Sequence, residues 1–228
     1  KLSSMGMKIL ILGITGRTGR LVAEEAIKRG HKVVGIARDA SKVSFKEAEI
    51  VIGTPYDLET VRKAITGCNA VISTLNIFPQ SQGLFGKIKS PLDSMSVSIK
   101  NTVSLMEANG IKRIVLMTAM GVGDSAGELP AFFSFLIRIS NIRFAYADHD
   151  RQEKILESSG VDWTIVRPVG LNDKNDNLSI LVDSDRSVKL KSMISRNAVA
   201  HFILDCLDKG TYIKQKSGIS KSFSKNFL

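Results

Sequence analysis

Three glycines at positions 13, 16 and 19, with Thr15, Arg17 and Thr18 between them, have the spacing of a turn that cradles a diphosphate. Each glycine has its own task in such a turn: Gly13 allows the tight bend, Gly16 lets the backbone approach the phosphates, and Gly19 lets a helix pack on a strand. The ligand would then meet free N–H groups at a helix N-terminus. A glycine-rich turn without a ligand is the alternative, and the flanking elements argue against it. Ile9 to Leu12 precede the turn as an unbroken apolar run, the pattern of a central parallel strand covered on both faces. Leu21, Val22, Ala26 and Ile27 follow on one helical face, and a second apolar strand runs from Lys32 to Ala37. A dinucleotide-binding unit is expected.

The side chain at the end of that second strand, about twenty residues past the glycine turn, faces the adenosine ribose in such units. Arg38 stands there. A guanidinium offers a planar fork to a 2′-phosphate, whereas an acidic residue would bond the 2′-hydroxyl, so NADP is expected over NAD. Arg17 and Lys42 are candidate further contacts to the same phosphate. Asp39 keeps NAD open, because a register shift of one residue would make it the ribose ligand.

The rest of the chain supplies elements to hold this site. Glu49 to Ile52 reads as a third strand, and Asp57 caps a helix from Leu58 to Ile65. Ala70 to Ser73 is a fourth strand at the switch point, so Ser73, Thr74, Leu75 and Asn76 could line the cofactor's central phosphates and ribose, or simply cap the strand end. Phe78 to Pro91 reads as a mobile loop over the site, followed by a long helix that Asn109 and Gly110 close. Arg113 to Thr118 is the fifth strand and Asp162 to Arg167 the sixth. Between them, residues 130–159 read as two helices, the first unusually apolar through Phe132, Phe133, Phe135, Leu136 and Ile137. Core packing is expected for it, with a dimer surface or a substrate wall as alternatives. Segments 180–182 and 187–190 are expected to pair, Ser195 to cap a helix from Arg196 to Leu207, and residues 209–228 to form a basic, solvated tail with room for one last strand. The alternation of strand and helix gives an α/β fold: one Rossmann domain with a doubly wound parallel sheet.

Length and composition fit this. The chain has 228 residues, 43% of them apolar, and no apolar run approaches the ~18 of a membrane span. No secretory leader is visible, so a cytoplasmic location is expected, with residues 1–6 a disordered start or tag remnant and translation beginning at Met5 or Met7. Cys68 and Cys206 lack a neighbouring thiol or histidine at ligand spacing, and neither a disulfide nor a metal site is expected. The net charge of +10 is spread along the chain without aromatic–basic interleaving, so neither nucleic acid nor membrane is an expected partner.

Gly13-Ile-Thr-Gly16-Arg-Thr-Gly19, Ala37-Arg38-Asp39, Asp148-His149-x-Arg151, Arg167-Pro168 and Ile194-Ser195-Arg196 together resemble the atypical short-chain dehydrogenase/reductases of the NmrA-like group. Within it the likeness is to biliverdin-IXβ reductase/flavin reductase proteins, from Met7 to Leu207. The resemblance implies NADP(H) in the glycine turn, Arg38 on its 2′-phosphate, a flat acceptor stacked over the nicotinamide, and Thr118 and Pro168 beside that ring. Three positions depart from the flavin reductase pattern: Ala119 replaces a serine, Val169 a histidine, and the family's adenine-side aspartate after the third strand is missing, Thr54 standing near its place.

Carbonyl reduction needs a proton donor, commonly a Tyr-x-x-x-Lys pair. The one match, Tyr212 with Lys216, lies after the last helix and reads as coincidence. His149 is a candidate donor, weighed against a helix-surface histidine with a structural hydrogen bond. Hydride transfer to a flavin or quinone asks less, since its proton can come from water. Two functions follow. One is an NADPH-dependent reductase of flat acceptors, with Thr118, Ala119, Pro168 and Val169 as the nicotinamide floor, acting as monomer or homodimer. The other is a catalytically idle NADP(H) sensor. A sugar-nucleotide epimerase fits less well, the chain being short and the Tyr/Lys pair misplaced.

Overall fold

A computed structural model describes residues 6–43, 45–77, 84–174, 179–183 and 193–222. The order of elements is β1 (Lys8–Leu12), α1 (Arg17–Lys28), β2 (Lys32–Ala37), β3 (Glu49–Ile52), α2 (Leu58–Ile65), β4 (Ala70–Ser73), α3 (Ser94–Ala108), β5 (Arg113–Met117), α4 (Ala131–Ile139), α5 (Ile142–Glu157), β6 (Asp162–Pro168), β7 (Leu171–Asn172), β8 (Ile180–Asp183), β9 (Ile194–Ser195), α6 (Arg196–Asp208) and β10 (Gln215–Lys221). The strands form a sheet in the order β3-β2-β1-β4-β5-β6-β10-β8, parallel except for β8 against β10, with a separate bridge of β7 to β9. This is a single doubly wound Rossmann domain. The strand order reverses between β1 and β4, where a ligand crevice opens at the carboxyl ends.

Alternate side chains of the central strands feed two cores. Ile9, Ile11, Val115 and Val166 pack beneath α1 and α6, while Leu10, Leu12, Ile114, Leu116 and Ile165 pack beneath α2, α3 and α5. Both faces are covered, hence the continuous apolar runs. Local chemistry sets the helix starts: Asp57 accepts from the N–H of Thr60 at 3.0 Å, and Ser195 from that of Ala198 at 3.1 Å. Cys68 and Cys206 are free and buried, and burial pushes both thiols up to about 11.

Two expectations are corrected. The apolar helix α4 is not core: none of its residues is buried, and Phe132 is 67% exposed. Composition made it look internal, yet the strands below are already covered by α3 and α5, leaving no sheet face for it. Residues 209–222 are not a solvated tail, because β10 adds to β6 in parallel register and buries Ser217, Gly218, Ile219 and Ser220. The strand at 180–183 pairs with β10; its expected partner, 187–190, lies outside the described residues, as do 1–5, Lys225 and the 78–83 part of the expected mobile loop.

Candidate nucleotide site

At the β1–β4 switch point lies a cavity of about 330 Å³, lined by Gly13, Thr15, Gly16, Arg17 and Thr18 from the glycine turn and by Thr74, Leu75 and Asn76 from beyond β4. Arg38, Thr54 and Tyr56 close one end; Met117, Leu171 and Arg196 close the other. The turn is built as its glycines require. Gly13 has φ +86°, a region that favours glycine, and its carbonyl accepts from the N–H of Gly16 at 2.9 Å. Gly19 faces inward: a Cβ there would lie 2.1 Å from the Gly13 carbonyl oxygen, so only glycine lets α1 approach so closely.

The start of α1 differs from those of α2 and α6. Its N-cap is Gly16, with no side-chain hydrogen bond and no acidic residue in the first turn. The first N–H groups of α1 are left for the cavity, and with the positive end of the helix dipole they suit a diphosphate. Arg38 is exposed at the edge of the cavity and makes no ion pair with any described residue. The Asp39 carboxylate accepts from the N–H and hydroxyl of Ser41 at 3.0 and 2.7 Å, capping a short 3-10 turn, and does not line the cavity. Lys42 ends that turn; its side chain lies outside the described residues. Arg17 pairs with Asp173 at 2.8 Å, and Asp173 also holds Arg196 at 2.6 Å, so one carboxylate ties the glycine turn to α6.

Other sequence candidates lie elsewhere. Ser73 is fully buried outside the cavity lining. Thr118, Ala119, Pro168 and Val169 do not line it either. Strand alternation is the reason at β5: Met117 points to the cavity, so Thr118 points to the opposite face, where its hydroxyl donates to Glu153 Oε1 at 2.7 Å. The backbone at 166–169 is tied into neighbouring strands, with the N–H of Met120 donating to the carbonyl of Pro168 and that of Val169 to the carbonyl of Ile219. His149 is not on the helix surface. It is 4% exposed, bonded through Nδ1 to Gln152 at 3.0 Å, and burial lowers it to about 4 against the opposing pull of Asp148. It is therefore neutral at pH 7, and it does not line the cavity. Tyr212 packs on Phe202 beneath α6, whereas Lys216 on the opposite face pairs with Glu157, so these two form no catalytic dyad.

Sequence reading missed the wall made by Ile36, Gly53, Pro55, Ile77, Ser90 and Ser94, which loops from distant strands bring together. It also missed Arg167 as an ion-pair hub. This side chain, 4% exposed, is held by Glu153 and Asp124; burial alone would lower its pKa, but the two carboxylates outweigh that and raise it. The group is separate from the cavity and pins β6 to α5. No cluster of metal-ligating side chains occurs among the described residues, and none of their helices is long and apolar enough to cross a membrane.

Residues 13–210 match the NAD(P)H-binding family. The chain belongs to this family. That membership accords with the atypical short-chain dehydrogenase/reductase resemblance of the motifs. An uncharacterised chloroplast protein of Arabidopsis thaliana is 26% identical over 196 residues, covering 78% of this chain and 58% of its own length. The chain thus spans little more than half of that relative. An uncharacterised sugar epimerase of Bacillus subtilis, YhfK, is 28% identical, with 89% of each chain covered. Among solved structures, ChuY, an anaerobillin reductase from Escherichia coli O157:H7, superposes with a TM-score of 0.77 over 96% of this chain and 98% of its own at 21% identity. A Veillonella parvula short-chain dehydrogenase/reductase in complex with NADP gives 0.75 over 98% and 100% at 15% identity. At such identities these two structures speak for the fold.

Proposed function

We propose that this chain is an NADPH-dependent reductase that passes hydride to a flat, electron-poor acceptor such as a flavin or quinone. The observation that carries the reading is the make-up of the cavity from end to end. Arg38 offers a guanidinium with no carboxylate partner among the described residues at the adenosine end, the uncapped start of α1 offers N–H groups at the centre, and Met117 and Leu171 offer an apolar floor at the far end. The bound nucleotide would supply the hydride. The chain's own part is to bind, orient and exclude water, and among the described residues that line the cavity at the Met117 end none is a carboxylic acid, histidine or tyrosine placed to protonate an alkoxide, the adjoining Asp173 being ion-paired to Arg17 and Arg196. That favours acceptors whose reduced form takes its proton from water.

Arg38 with Asp39 turned to its own cap supports NADP over NAD, and Arg17 is a second phosphate contact once it leaves Asp173. The engaged Thr118 hydroxyl favours one other reading, a nucleotide sensor without turnover. Titration with NADPH and NADH, followed by addition of FMN or a quinone while nicotinamide absorbance is recorded, separates the two. Decay with NADPH supports the reductase. Tight NADPH binding without decay across flavins and quinones supports the sensor, and failure to bind either nucleotide sinks both.

A further inference from the structure

Helix α4 and the segment 84–92 form one exposed surface. The N–H of Asn141, just past α4, donates to the carbonyl of Leu84 at 3.0 Å, and its side-chain amide donates to those of Phe85 at 3.2 Å and Gly86 at 3.1 Å. Phe85 and Phe132 are each 67% exposed, Phe133 and Phe135 each 57%, and Leu84 and Ile139 add to them. Single exposed apolar residues are ordinary; a helix with three exposed phenylalanines and no buried residue is not.

Charge says what covers it. Neither 84–92 nor 129–147 contains an aspartate or glutamate, while Lys87, Lys89, Arg138 and Arg143 are all exposed there. Lys87, Lys89 and Arg138 make no ion pair with any described residue, and Arg143 lies 4.5 Å over the Phe144 ring. A second copy fits this face badly. A two-fold contact would bring these four cations near their own duplicates, with only the exposed Asp93 and Glu128 at the borders of the two segments to offset them. A protein partner would ask for about one hydrogen bond per 100–200 Å² of contact. Apart from Arg138, the only polar side chain of α4 is Ser134. Acyl chains ask for no directional partner, and phosphates around them welcome cations.

We propose that this face docks on an anionic phospholipid surface, with Phe132, Phe133, Phe135 and Phe85 entering the acyl boundary and the lysines and arginines meeting headgroup phosphates. The nine residues of α4 are too few to span, so the contact is peripheral. The inference goes beyond the reductase reading and does not depend on it.

The test is co-sedimentation of the full chain with phosphatidylcholine vesicles, with and without phosphatidylglycerol. Pelleting is expected with phosphatidylglycerol and is expected to fall as salt rises. Phe132→Ser combined with Phe135→Ser should weaken partitioning about a hundredfold, from about tenfold per buried ring. Lys87→Gln and Arg138→Gln should each cost about fivefold. Unchanged NADPH binding in these variants shows that the fold survives and keeps this result separate from the reductase question. Pelleting with neither vesicle overturns the proposal. So does pelleting indifferent to phosphatidylglycerol, or a concentration-dependent dimer that Phe132→Ser abolishes while vesicles stay unbound.

Discussion

Around Gly13 the glycine turn and the end of β2 are shaped by contacts short in sequence, Gly16 to Gly13 and Asp39 to Ser41, with Arg38 at the edge of β2, and the ion pair of Arg17 with Asp173 is added to them from afar. Around Arg167 the opposite holds. Its carboxylates come from α5 and from the turn at Asp124, Thr118 is held by Glu153 across 35 positions, and the neighbouring strand β10 arrives from the far end of the chain. The first region is a backbone device, in which glycines and a bare helix end present N–H groups to the cavity. The second is a side-chain device, in which buried charges fix one helix against one strand. A backbone device shows in the sequence as glycine spacing, whereas a buried ion pair shows only as two charged letters among many.

Substitutions separate the two regions. The largest effect is expected for Arg167→Met, which leaves Glu153 buried beside a lost partner. Breaking a buried pair in this way costs about 3–5 kcal/mol. Chemical denaturation should show that loss, while the NADPH affinity of the remaining folded fraction stays unchanged; a fall in affinity without loss of stability would make Arg167 part of the nucleotide site. Gly19→Ala should cost about 3 kcal/mol, because the new methyl would overlap the Gly13 carbonyl, and here nucleotide binding should fall as well. Wild-type affinity in Gly19→Ala would remove the tight approach of α1 from the account.

Titration of His149 offers a pH-dependent effect. Its folded value of about 4 lies below the ordinary 6.5, so the unfolded chain takes up the proton first as pH falls. The contribution to stability is whole above pH 6.5 and is lost between 6.5 and about 4, at no more than about 1.4 kcal/mol per pH unit. Melting temperatures of the wild type and His149→Gln across that window check this. Parallel curves would mean that the ring is not buried neutral. Arg38→Asp should leave stability alone and weaken NADPH by about thirtyfold relative to NADH, a charge-assisted bond being worth about 2 kcal/mol. Equal loss for both nucleotides would take Arg38 off the 2′-phosphate. Phe132→Ser is the smallest change for the fold itself, within about 0.5 kcal/mol, because the ring is already in solvent.

Legibility followed the same division. The strands β1 to β6 and the caps at Asp57 and Ser195 could be read because apolar runs and capping residues act over a few positions. That Thr118 gives its hydroxyl to Glu153 could not be read, because a position one residue along a strand changes its face, and only the register of β5 against β4 and β6 shows which face is which. His149 looked like a surface residue because α5 is rich in charge, yet α5 packs on α3 through the side that carries Asp148, His149 and Gln152.

By itself the sequence determined the Rossmann alternation, the glycine turn with its bare helix start, and Arg38 at the edge of β2, since each depends on backbone geometry and periodicity within some thirty residues. Tertiary structure alone decided that Asp173 ties Arg17 to Arg196, that Glu153 takes the Thr118 hydroxyl, that β10 is part of the sheet, and that α4 faces outward. The reason is physical. A charge finds its partner, and an apolar helix its cover, through distances in space that the order of residues along a chain does not contain.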